Sequence, residues 1–295
     1  MASAKLKIRK LDPMQVKAGS TILVVGRRGT GKSTMLTDLC HCFASRRKPD
    51  GEPLIDLALG FSSTEESNQT LSQFLPQSLI YSDFSEERIA QIIAHQRRAC
   101  KRGTQKNIML LLDDCGFDKA SFRSTTLRNL FLNGRHLKIT CIVCLQYALD
   151  CPPDIRGNVD VVIAARDPIH SSRSKLWQNF FGCFETYESF SLTLDMCTNN
   201  FETLVMWSNQ DRPMNHIEEQ IRWYKAQVRE PFRLGADVYF RLDSRFYCDR
   251  EEELEQQRDA AREHERRRQL ARAPIGNVAK VDEDGQTMVP RHHHG

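Results

Sequence analysis

Residues 20–33 read Ser-Thr-Ile-Leu-Val-Val-Gly-Arg-Arg-Gly-Thr-Gly-Lys-Ser, an apolar run feeding directly into a glycine-rich turn. Gly26, four residues, then Gly31, Lys32 and Ser33 have the spacing of a phosphate-binding loop. Glycines let such a backbone curl so that successive N–H groups point at anionic oxygens at the positive end of the next helix. Lys32 would bring a compact positive charge to the β- and γ-phosphates, and Ser33 a hydroxyl to Mg²⁺. The candidate ATP-contacting segment is therefore Gly26, Arg27, Arg28, Gly29, Thr30, Gly31, Lys32, Ser33 and Thr34.

A second constellation lies downstream. Ile108-Met-Leu-Leu-Leu-Asp113-Asp114 reads as a fully buried strand ending in two carboxylates. In a phosphate-loop fold, Asp113 would hold Mg²⁺ beside Ser33, and Asp114 would polarise the attacking water. The plain alternative is a strand-end turn that happens to hold two aspartates. The strand Lys138–Leu145 ends in Gln146, whose amide can donate to a phosphate or accept from water. Asn133-Gly134-Arg135-His136 precedes that strand, so Arg135 stands at the end opposite Gln146. An arginine placed there is out of reach of its own γ-phosphate but can be offered to a neighbouring subunit, where it would stabilise transition-state charge. Arg156, in Pro152-Pro-Asp-Ile-Arg156, is the second candidate for that role, and a loop salt bridge is its bland reading.

These residues need a parallel sheet to bring them together. Strands are expected at 21–25, 55–61, 78–82, 108–113, 138–145 and 159–165, alternating with helices at 32–45, 65–74, 85–101, 121–133 and 171–181. The intervening length between loop and acids suggests an α/β phosphate-loop NTPase of the additional-strand class, with a mainly parallel central sheet flanked by helices. Segments 190–197 and 202–208 alternate and are expected to form a hairpin through Asn199-Asn200, followed by a helix over 214–227. The expected organisation is an extension over 1–19, an ATPase domain over 20–228 and a charged tail over 229–295. Within the tail, acids lead and arginines trail over 249–272, which suits a solvent-exposed helix aligned with its dipole. Residues 273–295 have little to pack.

Composition excludes several classes. At 295 residues with 40% hydrophobic and 27% charged residues, the chain can bury a sizeable core. No run approaches the roughly 18 apolar residues of a membrane span, and the start lacks a signal region. Ten scattered cysteines suit reduced thiols in a cytosol or nucleus. Cys141-x-x-Cys144 sits mid-strand without a second pair at zinc spacing, which favours core packing, and His292–His294 earns no metal assignment. A net charge of +4 is too small to demand a polyanion. The basic clusters Arg46-Arg47-Lys48 and Arg97, Arg98, Lys101, Arg102 read first as helix ends, with DNA contact the second reading.

The ordered series of segments resembles the poxvirus-type DNA-packaging ATPases of nucleocytoplasmic large DNA viruses, within the FtsK–HerA superfamily. It is carried by Gly26–Ser33, Phe61-Ser-Ser-Thr-Glu-Glu-Ser-Asn68, Leu112-Asp113-Asp114, Gly134-Arg135-His136, the strand Ile139–Gln146 and Cys197-Thr-Asn-Asn-Phe201, over about residues 5–225. The resemblance implies a homo-oligomeric ring that hydrolyses ATP with Mg²⁺ to drive double-stranded DNA into a capsid, acting with capsid or portal proteins at assembly sites in the host cytoplasm or nucleus. Family members commonly carry glutamate or aspartate after the Mg²⁺ aspartate, so Asp114 fits with a shorter reach. The absence of an Asn-Lys-x-Asp signature argues against a GTPase. A HerA/FtsK-like translocase or helicase in repair or segregation, a nucleotide-gated scaffold with little turnover and a small-molecule phosphotransferase are the other readings.

Overall fold

A computed structural model describes residues 6–115, 124–147, 153–208, 214, 216–247 and 259–267. The strands are β1 (Arg9–Lys10), β2 (Thr21–Val25), β3 (Leu57–Ser62), β4 (Ile80–Tyr81), β5 (Ile108–Asp113), β6 (Ile139–Leu145), β7 (Val161–Ala164), β8 (Glu202–Trp207) and β9 (Ile221–Lys225). Among the described residues they form one sheet in the order β1-β9-β8-β7-β2-β6-β5-β3-β4. The pairs β2–β6, β2–β7, β5–β6, β3–β5, β3–β4 and β1–β9 are parallel. Only β8 runs against its neighbours β7 and β9. β6 lies between β2 and β5, which is the additional strand expected from the sequence.

Every residue of β2, β5, β6 and β7 is buried. That is the mark of parallel strands covered on both faces. The period of two sorts their side chains into two cores. Leu23, Val25, Leu110, Leu112, Cys141 and Val143 face one layer, packed with Ile89, Leu127, Phe131, Leu176 and Phe190. Ile22, Val24, Met109, Leu111, Ile142 and Cys144 face the other, packed with Met35, Leu36, Leu39 and Phe43. Cys141 and Cys144 therefore belong to opposite faces and cannot act as a pair. Burial pushes the Cys141 thiol up to about 12.

The helices follow their local signals. α1 (Lys32–Ala44) opens at the phosphate loop. α2 (Glu65–Asn68) is short. α3 (Glu86–Arg102) is capped by Ser85, which accepts from Arg88 N–H at 3.3 Å, and ends at left-handed Gly103. Glu86 and Glu87 begin it and Lys101 and Arg102 finish it, matching the helix dipole. α4 (Thr125–Asn133), α5 (Pro153–Arg156) and α6 (His170–Phe180) complete the crossovers.

Four expectations are corrected. Residues 190–197 belong to α7 (Tyr187–Cys197), not to a hairpin strand. Phe-Ser-Leu-Thr-Leu alternates on paper, but the buried set Phe190, Thr193, Leu194 and Cys197 has helical spacing, and Thr186 caps the first turn. The helix expected over 214–227 is only α8 (Ile217–Gln220), followed by β9, which takes the place beside β8 assigned to 190–197. The helix expected over 65–74 stops at Asn68 because Gln69 turns left-handed (φ 45°), and Leu71–Gln73 form a separate 3₁₀ turn. The strand expected over 78–82 is reduced to Ile80–Tyr81.

The chain divides into two compact units, Met1–Arg245 and Phe246–Gly295. In the first, fully buried Asp38 on α1 accepts from Tyr224 Oη at 2.7 Å, Gln227 N–H at 3.0 Å and Arg229 Nε at 2.7 Å. Leu234 is buried, and α9 (Asp237–Phe246) offers Asp243 to Gln77 and Ser78 N–H. Residues from 229 to 245, which the sequence grouped with the tail, thus pack with the sheet domain. In the second unit residues 259–267 are helical and exposed, with Arg262–Asp259 and Arg267–Glu263 ion pairs one turn apart. Residues 273–295, including His292–His294, lie outside the described residues. Among the described residues no helix is long and apolar enough to cross a membrane.

Candidate functional site

Three neighbouring parallel strands end side by side. Val25 of β2 is in register with Leu145 of β6, and Cys144 of β6 with Asp113 of β5. The glycine-rich loop leaves β2, Gln146 follows β6 and the paired aspartates close β5. All three converge on the carboxyl edge of the sheet, where open α/β sheets bind ligands.

The loop is held by its own backbone. Gly26 N–H donates to Leu145 O at 3.0 Å, tying the loop to the strand that carries Gln146. A Cβ on Gly26 would stand 2.5 Å from Thr30 Oγ1 and 2.8 Å from Ala165 Cβ, so no larger residue fits. Gly31, at φ +87°, is the N-cap of α1 and turns the chain so that the first helical N–H groups face the loop. Thr30 Oγ1 donates to Arg27 O at 2.7 Å, and Lys32 Nζ donates to the same carbonyl at 3.3 Å. Arg27, Ser33 and Thr34 are half-buried, whereas Arg28 and Gly29 are exposed. A glycine cradle at a helix N-terminus with a lysine at its rim suits a polyphosphate chain.

Asp113 is 3% exposed. Burial pushes its carboxyl above the ordinary carboxylate range, opposed by a hydrogen bond from the Cys144 thiol and by the charge of Lys32. Strand register sets Asp113 at the same edge of the sheet as the loop that carries Lys32. A buried carboxylate at the end of β5, at the sheet edge where Ser33 lies in the first turn of α1, suits a hard divalent cation such as Mg²⁺. Asp114 is left-handed at φ 47°. Ser63 Oγ donates to its carbonyl at 2.6 Å, and Gln146 Nε2 donates to its two carboxylate oxygens at 2.9 and 3.1 Å. The backbone turn swings the second acid away from the strand and onto the glutamine.

The structure places Lys32, Ser33, Asp113, Asp114 and Gln146 at one edge of the sheet, with Gln146 on Asp114. It does not bring Arg135 to them. Arg135 pairs with Asp160, whose other oxygen accepts from Thr21 N–H at the start of β2, the amino edge of the sheet. Arg156 donates to Asn179 Oδ1 on α6.

Four residues here make contacts that local sequence did not reveal. Ser63 lies within the Phe61–Asn68 segment, and only the structure shows that its hydroxyl fixes the Asp114 turn. Cys144 was read as core packing, and it also donates to Asp113. Phe201, the end of the Cys197–Phe201 segment, lies against Gly31. Glu65 of the same early segment accepts from Leu71 and Ser72 N–H and so organises the following turn.

Over 233 residues the chain is 30% identical to uncharacterized protein 088R of Invertebrate iridescent virus 3, covering 78% of this chain and 85% of that protein. It is 33% identical over 238 residues to uncharacterized protein 075L of Invertebrate iridescent virus 6, covering 80% and 89%. The chain belongs to the family of these viral proteins. The chain is also 24% identical over 253 residues to uncharacterized protein L437 of Acanthamoeba polyphaga mimivirus, covering 82% of this chain and 85% of that one. No protein-family model matches. Among solved structures, the genome packaging NTPase B204 of Sulfolobus turreted icosahedral virus 2 in complex with ATP-γ-S superposes with a TM-score of 0.50 at 14% identity, covering 71% of this chain and 98% of that one. The chain therefore shares the phosphate-loop α/β fold of that NTPase.

Proposed function

We propose that this protein is an ATPase that moves double-stranded DNA into a viral capsid, of the poxvirus type within the FtsK–HerA superfamily. The observation that carries it is the Gln146–Asp114 hydrogen-bond pair beside the glycine loop. A loop alone would serve binding. A second carboxylate held by an amide that can also reach a terminal phosphate serves turnover. The fold shared with a packaging NTPase and the relatives in large DNA viruses support the packaging role.

In this reading the loop N–H groups grip the phosphates, and Lys32 exchanges its long 3.3 Å contact with Arg27 O for a phosphate oxygen. Ser33 and Asp113 would hold Mg²⁺, which when bound neutralises charge building on the β- and γ-phosphates. Asp114 polarises the attacking water. Gln146 donates either to Asp114 or to the terminal phosphate, so hydrolysis would be felt at the end of β6 and passed along that buried strand. Arg135, at the far edge of the sheet, would act on the site of the next subunit in a ring and not on its own. DNA would be gripped through its phosphates, without sequence preference and with strong salt dependence.

The test is ATP hydrolysis by the full chain with and without duplex DNA across salt concentrations. Stimulation that fades as salt rises is expected. Turnover unaffected by DNA at every salt concentration would remove the translocase reading. Negligible turnover with intact ATP binding would leave a nucleotide-gated scaffold in its place.

A further inference from the structure

Phe201 is a large aromatic ring held in solvent beside the phosphate loop. It is 68% exposed, yet its Cδ1 lies 3.5 Å from where a Cβ on Gly31 would stand. The ring thus sits against the N-cap of α1 without being buried in the core. Its backbone is strained as well. Asn200 and Phe201 are successive non-glycine residues in the left-handed region, at φ 52° and 62°. For a bulky side chain that conformation is a genuine outlier, of the kind that collects at ligand sites. The tight connection from α7 is fixed by Glu202 N–H donating to Asn199 O at 2.9 Å and Thr198 Oγ1 donating to Leu194 O at 2.6 Å. Strain without burial contributes nothing to stability, so the position calls for another explanation.

Topology supplies it. β8 runs antiparallel to β7, with Leu204 opposite Ala164, so the residue that starts β8 lies at the carboxyl edge of the sheet. β7 flanks β2 on the side away from β6 and β5. Asp113, Asp114 and Gln146 stand at the ends of β5 and β6, so they mark the terminal-phosphate side of the loop. Phe201 marks the opposite side. A nucleotide lying along the loop with its last phosphate toward Asp113 brings its base out where Phe201 stands.

We propose that Phe201 is the stacking platform for the base of the bound nucleoside triphosphate. The assignment rests on the reading of the glycine loop as a nucleotide site. An aromatic face recognises the π-surface of a base and not its hydrogen-bonding edge, so this contact favours purines over pyrimidines and is shared by ATP and GTP. It also explains why a ring is kept exposed and strained at this spot: the base, once bound, covers it.

The experiment compares wild type, Phe201→Ala and Phe201→Trp in the full chain, titrated calorimetrically with MgATP and with magnesium tripolyphosphate, which lacks the base. Phe201→Ala is expected to weaken MgATP about tenfold or more, the range for loss of one base–aromatic stack, and to leave tripolyphosphate affinity unchanged. Phe201→Trp is expected to restore ATP affinity, with quenching by ATP beyond that of the three native tryptophans in wild type, and none of this added quenching with tripolyphosphate. Equal loss of both ligands in Phe201→Ala, or loss of neither, would overturn the platform. So would a Phe201→Trp emission that responds to ATP no differently from wild type. A wild-type chain that binds neither ligand would instead overturn the nucleotide reading itself, and the platform with it.

Discussion

Gln146 Nε2 spans both carboxylate oxygens of Asp114, at 2.9 and 3.1 Å, across the gap between β6 and β5. Because Asp114 sits at φ 47° with its carbonyl held by Ser63, its carboxylate is turned to the glutamine instead of continuing the strand. The pair links the residue that would prepare water to the residue that would sense phosphate, through one exchangeable hydrogen bond.

Asp114→Asn is expected to keep MgATP affinity within about threefold and to lower kcat by about a hundredfold or more, the usual weight of a positioned base. Gln146→Ala should also lower kcat. Because the two side chains act as a unit, the double variant should lose much less than the sum of the single losses. Steady-state ATPase rates on the four proteins give the coupling directly. Strict additivity would mean the hydrogen bond has no part in turnover.

Lys32→Ala should act differently, abolishing MgATP binding by calorimetry while leaving the thermal midpoint of the protein alone nearly unchanged. Lys32 is half-buried and its hydrogen bond to Arg27 O is long, so little folding stability depends on it.

Asp113 ties stability to pH. Its folded-state carboxyl is raised by burial, so the folded protein holds that proton to higher pH than the unfolded chain does. The stability associated with the protonated form is present in full below the unfolded value of about 3.9. It is lost as pH rises through the raised folded value. Asp113→Asn, which keeps an acceptor for the Cys144 thiol, should therefore stabilise the ligand-free protein at pH 7 by about 1 kcal/mol, as active-site substitutions often do. The advantage should shrink toward pH 4. Urea denaturation of both proteins at the two pH values measures it, and a variant less stable than wild type at pH 7 would contradict it.

Arg135→Ala should leave MgATP affinity unchanged and lower turnover. In mixtures with wild-type protein, activity should fall away from strict proportion to the wild-type fraction, since each site would borrow an arginine from its neighbour. Proportional activity across the whole mixing range would return Arg135 to a purely structural pairing with Asp160.

Asp38→Ala should cost about 3 kcal/mol or more of folding stability, because it leaves the Tyr224 hydroxyl and the Arg229 guanidinium without their shared carboxylate. Burial and the hydrogen bond to Asp38 push the Tyr224 hydroxyl well above its ordinary range. A loss under 1 kcal/mol by urea titration would show that the cluster contributes little.

The parts legible in the sequence were those fixed by short-range chemistry. Gly26 and Gly31 announce the loop because no other residue tolerates those contacts and angles, and Ile108–Asp113 reads as a strand because a doubly covered strand must be apolar throughout. Phe190–Cys197 misled because Phe-Ser-Leu-Thr-Leu satisfies a period of two locally, while tertiary burial chose the helical set. The helix expected at 214–227 failed for a related reason: β9 needs the long-range partner β8, which propensity within the segment cannot reveal. The Asp38 cluster joins residues far apart in sequence, so no local pattern could point to it. Phe201 was visible as a residue and not as a neighbour of Gly31, because only the antiparallel course of β8 returns it to the loop.

The parallel pairing of β1 with β9, Arg9 opposite Arg222 and Lys10 opposite Trp223, bears on how the molecule is made. During synthesis the first of these partners waits for roughly 200 further residues, on the order of 10 to 40 s at ribosomal speed. Throughout that delay the short basic ribbon has no mate. When β9 arrives, the two close one border of the sheet, and the arginine and lysine they place there discourage another chain from adding to it.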